Sequence, residues 1–557
     1  MLRDVVAGFL DTVTEREFDA PLITLLAAQG LTDVHFLHGA FEFGKDFIAK
    51  GPKPADGDTG TGDPASWTVH QFAIQSKAGN LGLPEWRAVR PQLDEARLDG
   101  LAHPAFDCDL PRAAVLVTTG RLTGAAAVQA QSYRMSERGY GRPDFEVWDR
   151  ERLLEWLADS PEAGLAGTSD GPVLALAGAI DGGTVTLAAL ERRGRAWLPA
   201  VPGSLAEATD PAAEVTARLR RAAVEAAVLG NRLRCRGRTD LAAMTALLLL
   251  RAAWCHALSV PGETRLPRPG TVLAAIRMFA GYALELLDQA EPIAKDPRAL
   301  LDAVSATSFP HAAYPAACAR LAEILGLLGL LAAGPAADAG LAGLPAARIS
   351  RTVADLLEHQ PGCHHPVSDG FAVSLIAPVL LTAGHDAGTA RRHLSRAAVW
   401  TADRYDPRYA GAGLAGTSVS PEEEVAWLLG SSFANAPQRR PWSYVAAVIA
   451  DLAAVIPEGG ELYGDVVNEF LAADASPVLL QADEQRAQWR PDGPGGTLTA
   501  GIAYAEPLPH DGAAAPHFTA QRPPVPAWDA LALTSVARNR HVVQTLRDNL
   551  PQGSSSP

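Results

Sequence analysis

HGAFEFGKDFIAK (residues 38–50) and WTVHQFAIQSKAGN (residues 67–80) decide the fold between them. The segment that joins them, GPKPADGDTGTGDPAS (51–66), is Gly, Pro, Asp and Thr with almost no apolar content. That is the composition of a turn or lid. Residues 67–77 alternate and are rich in β-formers, which predicts a strand. Residues 43–49 predict a second strand, with Asp46 on it or at its mouth. The two strands read as a hairpin whose tip is the soft segment. Gln75 and Lys77 share one face of their strand, because side chains alternate with a period of two.

Outward from the hairpin, the pattern is that of an α/β domain. Residues 15–29 form a helix: Phe18, Leu22, Leu25 and Leu26 recur at helical spacing, and Gly30 stands where a C-cap belongs. Pro21 lies early in it, where proline is best tolerated. Residues 34–37 are a short strand. Residues 84–98 are a helix with proline at its start. The run AAVLVTT (113–119) is continuously apolar and of strand length, so it predicts a strand buried on both faces. A helix at 124–138, a strand at 145–148 and a helix at 150–158 complete the unit. The expected fold over residues 1–160 is a mixed central sheet flanked by helices.

Composition then shifts. Residues 161–203 are Gly-rich and read as a linker or small subdomain, with strands possible at 173–176 and 184–187. Residues 204–550 read as an all-helical region of alanine and leucine with arginine on the polar faces. Its helices are expected at 211–229, 241–258, 272–289, 315–331, 349–358, 373–381, 390–404, 422–429, 442–456, 463–473 and 528–550. The end, PQGSSSP (551–557), reads as a disordered tail. No fixed repeat period is visible.

A chain of 557 residues with net charge −15 does not coat nucleic acid by bulk charge, so any such contact is local or assembled. Five scattered cysteines (108, 235, 255, 318, 363) suit free thiols in a reducing cytosol. The N-terminal MLRDVVAGFLDTVTEREFD carries acids where a signal peptide needs a basic end. The apolar runs 241–250 and 324–333 are shorter than the roughly 20 residues that span a bilayer. The expectation is a cytoplasmic protein with no membrane partner.

Several matched pieces, in order, resemble the PD-(D/E)xK nuclease superfamily, in its Mrr-like restriction endonuclease branch. FDAPLITLLAAQG resembles the family's first helix, with Asp19 as its acid. HGAFEFGKD resembles the turn that delivers the catalytic aspartate, here Asp46. AIQSK resembles the Gln-x-Lys variant of the (D/E)xK motif, here Gln75 and Lys77. VLVTTGRLTGAA and DFEVWDRERLLEWL resemble the strand-loop-helix and the closing strand and helix. The resemblance covers residues 10–158. It implies a restriction-endonuclease-like fold, hydrolysis of DNA with Mg²⁺ (or Mn²⁺ in its place), and an effector role in prokaryotic defence. The helical region would then sense a signal, bind a protein partner or self-assemble.

The residue types suit that chemistry. A carboxylate-held Mg²⁺ activates water and polarises phosphate, and Asp46 is the expected anchor. The Gln75 side-chain oxygen is a weaker ligand than a glutamate but suits a hard cation. Lys77 then faces the same metal and phosphate. The Ser76 main-chain carbonyl is a further ligand candidate. Asp19 and Glu42 are additional candidates; Asp19 reads equally well as helix surface, and Glu42 reads better as a surface or turn residue than as a ligand. RNA as substrate fits the residues as well as DNA. A silent nuclease fold serving as a scaffold or binding module is the competing reading, because Gln75 replaces an acid.

Three other patterns carry less. Residues 39–45 match G-x-x-x-x-G-K, but Asp46 stands where a phosphate loop needs Ser or Thr, and FIAKGPKP that follows is strand-like rather than helical. Cys363-His364-His365 are adjacent and cannot all converge on one tetrahedral ion. Cys255-His256, at the end of an apolar helix, reads as core. Arg232, Arg234, Arg236 and Arg238 form the densest basic run, either a phosphate-binding patch or a solvated helix end.

Overall fold

The computed structural model describes residues 2–37, 43–53, 67–98, 100–140, 144–167, 171–198, 211–258, 270–304, 310–334, 341–409, 411–415, 440–456 and 459–477, with isolated positions at 427, 480–481, 497–498, 528 and 532. The helix expected at 422–429, nearly all of that at 528–550 and the tail 551–557 lie outside these residues, as does Glu42. The chain divides into two units: residues 1–175 with 212–228, and residues 176–211 with 229–557.

The first unit is built on a five-stranded mixed sheet in the order β1-β2-β3-β4-β5. Its strands are β1 (Thr32–Phe36), β2 (Phe47–Lys53), β3 (Thr68–Lys77), β4 (Arg112–Thr118) and β5 (Asp144–Trp148). β1, β2 and β3 pair antiparallel; β3, β4 and β5 pair parallel. The hairpin read from sequence is the β2–β3 pair, in register from Phe47 opposite Ile74 to Lys53 opposite Thr68. The parallel pairs need crossovers, which α3 (Leu83–Leu98) and α4 (Ala125–Gly139) supply. Trp86, Val89 and Leu93 of α3, Ala114 and Leu116 of β4, Tyr133 of α4 and Phe145 of β5 form one apolar cluster. Val115 and Val117 alternate to the opposite face and are buried too. β4 is therefore the doubly buried strand its unbroken apolar run predicts.

α2 (Glu15–Ala28) starts where its sequence says. Thr14 is the N-cap and forms a capping box with Glu17. Phe18, Leu22, Leu25 and Leu26 are its buried face. α5 (Arg150–Asp159) is capped by Asp149, which accepts from the Glu151 N–H. α1 (Leu2–Thr12) precedes these and was not expected; it packs on α5, with Val5, Val6, Phe9 and Leu10 buried.

Two boundaries shift for physical reasons. β2 begins at Phe47 rather than at 43, because Phe43 (φ 46°) and Gly44 (φ 67°) are left-handed and break the extended chain. It also runs on through Pro52, which the sequence places in the soft segment. β1 pairs with β2 only as far as Lys50, so Pro52 lies where β2 has no β1 partner.

The strands expected at 173–176 and 184–187 are a correction. Residues Gly171–Asp181 are a helix (α6), and Leu187–Arg195 another (α7), the latter capped by Thr186 accepting from the Ala189 N–H. The second unit continues with α8 (Pro211–Cys235, shared with the first unit), α9 (Thr239–Leu258), α10 (Gly270–Ala290), α11 (Pro297–Val304), α12 (Pro310–Ala333), α13 (Ala346–His359), α14 (Ile376–His385), α15 (Ala387–Tyr405), α16 (Tyr444–Val455) and α17 (Gly459–Ala472). α9 packs along α10, and α12 against α13 and α14. Gly326 and Gly329 permit the last contact: a Cβ there would sit 2.6 Å from Pro378 N and 2.2 Å from Leu381 Cδ2. α10 and α12 are long and apolar enough to cross a bilayer, but 56% and 67% of their apolar windows are buried inside the protein, which is how core helices behave.

Candidate active site at the parting of β2 and β3

The pairing of β2 and β3 stops at Phe47 and Ile74, and the chain entering β2 turns away from β3. Asp46 sits at that fork. Its N–H donates to the Ile74 carbonyl (2.8 Å), and its carbonyl accepts from the Leu37 N–H (2.8 Å). Its side chain then takes the place of the missing strand. Oδ2 accepts from the Ser76 N–H at 2.7 Å and from the Gln75 Nε2 at 2.6 Å. Both lengths are those of hydrogen bonds to an ionised acceptor. Gln75 and Ser76 are buried, whereas Lys77, the last residue of β3, is half-buried.

The turn that delivers Asp46 is held from below. Lys45 is fully buried; its ammonium donates to the carbonyls of Phe43 (2.9 Å) and Glu95 (3.4 Å) and lies over the Phe43 and Phe106 rings. Gly44 passes so close to α3 that a Cβ would stand 1.9 Å from the Gln92 carbonyl oxygen. The lysine of the G-x-x-x-x-G-K pattern is thus a structural anchor, turned into the protein and away from any phosphate.

β3 is fixed beyond Lys77 by the neighbouring loop. The Gly79 N–H donates to Thr119 Oγ1 (2.8 Å), and Thr118 Oγ1 donates to the Gly79 carbonyl (2.7 Å). Asn80 Oδ1 accepts from the Arg121 N–H (2.9 Å). Gly120 allows the approach; its Cβ would lie 2.2 Å from the Gly79 carbonyl carbon. The site therefore stands at the C-terminal ends of β3 and β4, where open α/β sheets place their ligands.

Lys77 reaches α2. Its Nζ pairs with Glu15 Oε1 at 3.0 Å. Glu15 was not among the residues expected. Asp19, which was, lies one helical turn further along α2, half-buried. The signal for Glu15 was present in the i, i+4 spacing of the two acids, which puts both on one helix face.

Asp46, Gln75 and Ser76 thus meet at one oxygen, and Lys77 stands beside them on β3 with Glu15 as its partner. Among the described residues no group of three or more His, Cys, Asp or Glu is placed to hold a metal. Gln75 and Ser76 turn N–H donors toward the Asp46 carboxylate; the further oxygens these residues carry are the Gln75 amide oxygen and the Ser76 main-chain carbonyl. Such hard oxygens suit Mg²⁺, which keeps several of its waters and commonly takes only one or two protein carboxylates. The residues present fit that ion.

The other polar concentrations behave differently. The arginine run is paired with acids: Arg232 and Arg236 with Asp181 and Arg234 with Glu285, both distant in sequence, and Arg238 with Asp240 two residues on. Arg320 joins Asp240 at 2.9 Å. Burial pushes the Asp240 carboxyl up, but Arg320 and Arg238 outweigh it and hold it at about 2. That run is an ion-pair seam of the helical unit. His364 and His393 stack edge to face with ring centres 5.0 Å apart, and His365 stacks on Trp400 at 4.0 Å. Burial lowers all three imidazoles, His365 to about 4 and His393 well below the usual histidine range. Beside them Cys363 is raised by its contact with the Cys318 thiol and by burial. Cys363-His364-His365 is core packing. His256 likewise is buried, with Nε2 2.9 Å from the Trp197 carbonyl.

Compared with known proteins, the chain matches no protein family, no curated protein and no solved structure.

Proposed function

We propose that this chain is a metal-dependent endonuclease of the PD-(D/E)xK kind, hydrolysing phosphodiester bonds in DNA. The observation that carries the reading is the meeting of Asp46, Gln75 and Ser76 at a single oxygen, 2.6–2.7 Å apart, with Lys77 next on the strand. Asp46, the Gln75 amide oxygen and the Ser76 carbonyl would hold Mg²⁺ or Mn²⁺. When bound, that ion supplies an activated water and neutralises charge on the phosphate. Lys77 offers its ammonium to the phosphate oxygen on which charge develops. Glu15 holds that ammonium in reach until substrate competes for it. Asp19 and Glu42 remain additional candidates.

The wider reading follows from the same proposal. The protein acts in the cytoplasm, without a membrane partner, as an effector of prokaryotic defence. Its helical unit senses the signal, binds a partner or assembles copies. A net charge of −15 gives a nuclease that binds DNA weakly alone and gains from assembly.

The test is cleavage of plasmid DNA and of RNA by the full chain in Mg²⁺, in Mn²⁺ and in chelator, beside Asp46→Ala and Lys77→Ala. Metal-dependent cutting by the wild type alone supports the assignment; equal cutting by all three proteins removes it. Preference for RNA would change the substrate and keep the site. One observation favours a second reading, the scaffold: Lys77 is ion-paired to Glu15, and Asp46 caps the end of a strand pair. A chain inert on both nucleic acids in every metal would establish that reading.

A further inference from the structure

The chain segments that leave β3 and β4 run side by side past the end of the sheet. Lys77 is in register with Thr118, and the Thr119 N–H donates to the Lys77 carbonyl (3.2 Å). Asn80 Oδ1 accepts from the Arg121 N–H, the Leu81 N–H donates to the Arg121 carbonyl (2.9 Å), and the Thr123 N–H donates to the Leu81 carbonyl (3.0 Å). The Arg121 main chain is therefore fixed against Asn80, three residues beyond Lys77. Three residues of chain span at most about 10 Å. Phosphates on one DNA strand follow each other about every 3.4 Å along the axis. A strand lying on Lys77 thus carries its next few phosphates within reach of a side chain as long as arginine.

We propose that Arg121 is a second phosphate contact: with Lys77 it forms a short cationic track that holds the backbone of a DNA strand at the C-terminal ends of β3 and β4. The inference rests on the nuclease reading of the site and deepens it by naming a substrate-binding residue.

The setting of Arg121 suits that task. Its main chain is held at both N–H and carbonyl, while its side chain is 56% exposed, so a fixed stem presents a guanidinium to solvent. The planar fork and permanent charge of that group match the oxygens of a phosphate. Its acid is Glu151 in the first turn of α5, itself 46% exposed and shared with Arg3 at 3.4 Å. Two guanidiniums on one carboxylate leave positive charge over. An ion pair this exposed adds little to stability, so an arriving phosphate displaces the carboxylate at small cost. Lys77 and Glu15 form a pair of the same exposed kind. Arg150, which follows β5, is the contrast. Its side chain is 19% exposed and grips Asp11 through two bonds of 2.8 and 2.9 Å, which makes it a brace between α5 and α1. In a chain of net charge −15 a contact with the nucleic-acid backbone has to be built locally, and Lys77 and Arg121 build it beside the Asp46 turn.

The experiment is fluorescence anisotropy of a short labelled DNA duplex with the full chain, over a range of salt and in EDTA, so that binding is read without cleavage. Arg121→Ala should weaken binding about tenfold, equally for unrelated sequences, and lower the salt slope by about one. Arg121→Lys keeps the charge and should restore most of the slope. Arg87→Ala, which removes an exposed arginine of α3, should bind as wild type does and shows that overall charge is not the cause. Melting temperatures of all variants should agree within a degree or two. Unchanged affinity and slope in Arg121→Ala would overturn the track, and so would a fall in melting temperature without a change in slope, which is the result for a residue that only anchors α5. Either outcome beside metal-dependent cleavage by the wild type would leave the nuclease reading intact. The expected loss of binding, with no cleavage by the wild type in any metal, would keep the track and remove the nuclease.

Discussion

The Asp46–Gln75–Lys77 group and the His364–His365–His393 group both concentrate polar chemistry, and they are opposite in kind. The first keeps charge. Asp46 receives two short donors, and Lys77 is paired with Glu15 at the end of β3. The second removes charge: burial drives the three imidazoles toward the neutral form, and both ring nitrogens of His393 are sealed without a protein partner. A cluster of ligand-type residues is therefore weak testimony on its own. Pre-set donors around a retained charge are what catalysis requires, because charge changes during the reaction and the site must already face it. The histidine group is better suited to packing than to proton transfer.

The sharpest break of this contrast is to remove one group from each side. Lys77→Ala should cut nuclease activity by about a thousandfold, near 4 kcal/mol of barrier, while leaving the melting temperature almost unchanged. His393→Phe should leave activity within a few-fold and shift stability instead. Plasmid cleavage and thermal melting of the same two variants decide it. Activity lost in His393→Phe at an unchanged melting temperature would reverse the roles assigned here.

Acid should act on the second group. His365 is lowered to about 4 in the folded state by burial, by neighbouring His364 and by Arg404, against an ordinary histidine value near 6.5. The folded protein thus binds fewer protons than the unfolded chain below that value. Stability is present in full above pH 6.5 and falls as pH drops toward 4, by about 3 kcal/mol at most from this residue. His364 and His393 shift the same way and add to the loss. Arg396 and Arg404 oppose protonation, and Glu358 favours it. Denaturant melts between pH 7 and 4 should show the decline, and His365→Phe should flatten it.

Asp240 works with the reverse sign. Its carboxyl is held at about 2, below the ordinary value of 3.8, so its contribution is present above about pH 4 and lost as pH falls through 2. Asp240→Asn should cost about 2 kcal/mol at neutral pH, since it leaves Arg238 and Arg320 without their acid. A loss that persisted unchanged at pH 2 would point to packing rather than charge.

These contrasts explain what could be read from the chain and what could not. α2 was legible because its apolar stripe and the glycine that follows it agree. β4 was legible because its apolar run is unbroken. Residues 171–181 misled because a short apolar run does not distinguish a buried strand from a buried helix. The run around 184–187 misled because Thr186 is a good β-former that here serves as a cap. The arginine run was ambiguous because two of its acids, Asp181 and Glu285, are brought to it only by tertiary packing. Asp46, Gln75 and Lys77 were readable as a set, since a hairpin carries them. Glu15 belongs to another element, and only the folded chain shows which of the three acids on α2, Glu15, Glu17 or Asp19, meets Lys77.

That pair supplies the smallest effect and the finest test of the contrast. Glu15 is about half exposed and Lys77 about a quarter, so their ion pair adds at most about 1 kcal/mol to stability. Glu15→Gln should leave the melting temperature within a degree or two and keep a hydrogen-bonding partner for Lys77. Glu15→Ala removes that partner. If Glu15 positions the lysine, Glu15→Ala should lower kcat several-fold with little change in KM, and Glu15→Gln should restore most of it. If Glu15 instead sequesters Lys77 from substrate, Glu15→Ala should lower KM and leave kcat unchanged or raised, because the ammonium would no longer have to leave a carboxylate to meet phosphate. The sign of that change separates a lysine held ready from a lysine held back.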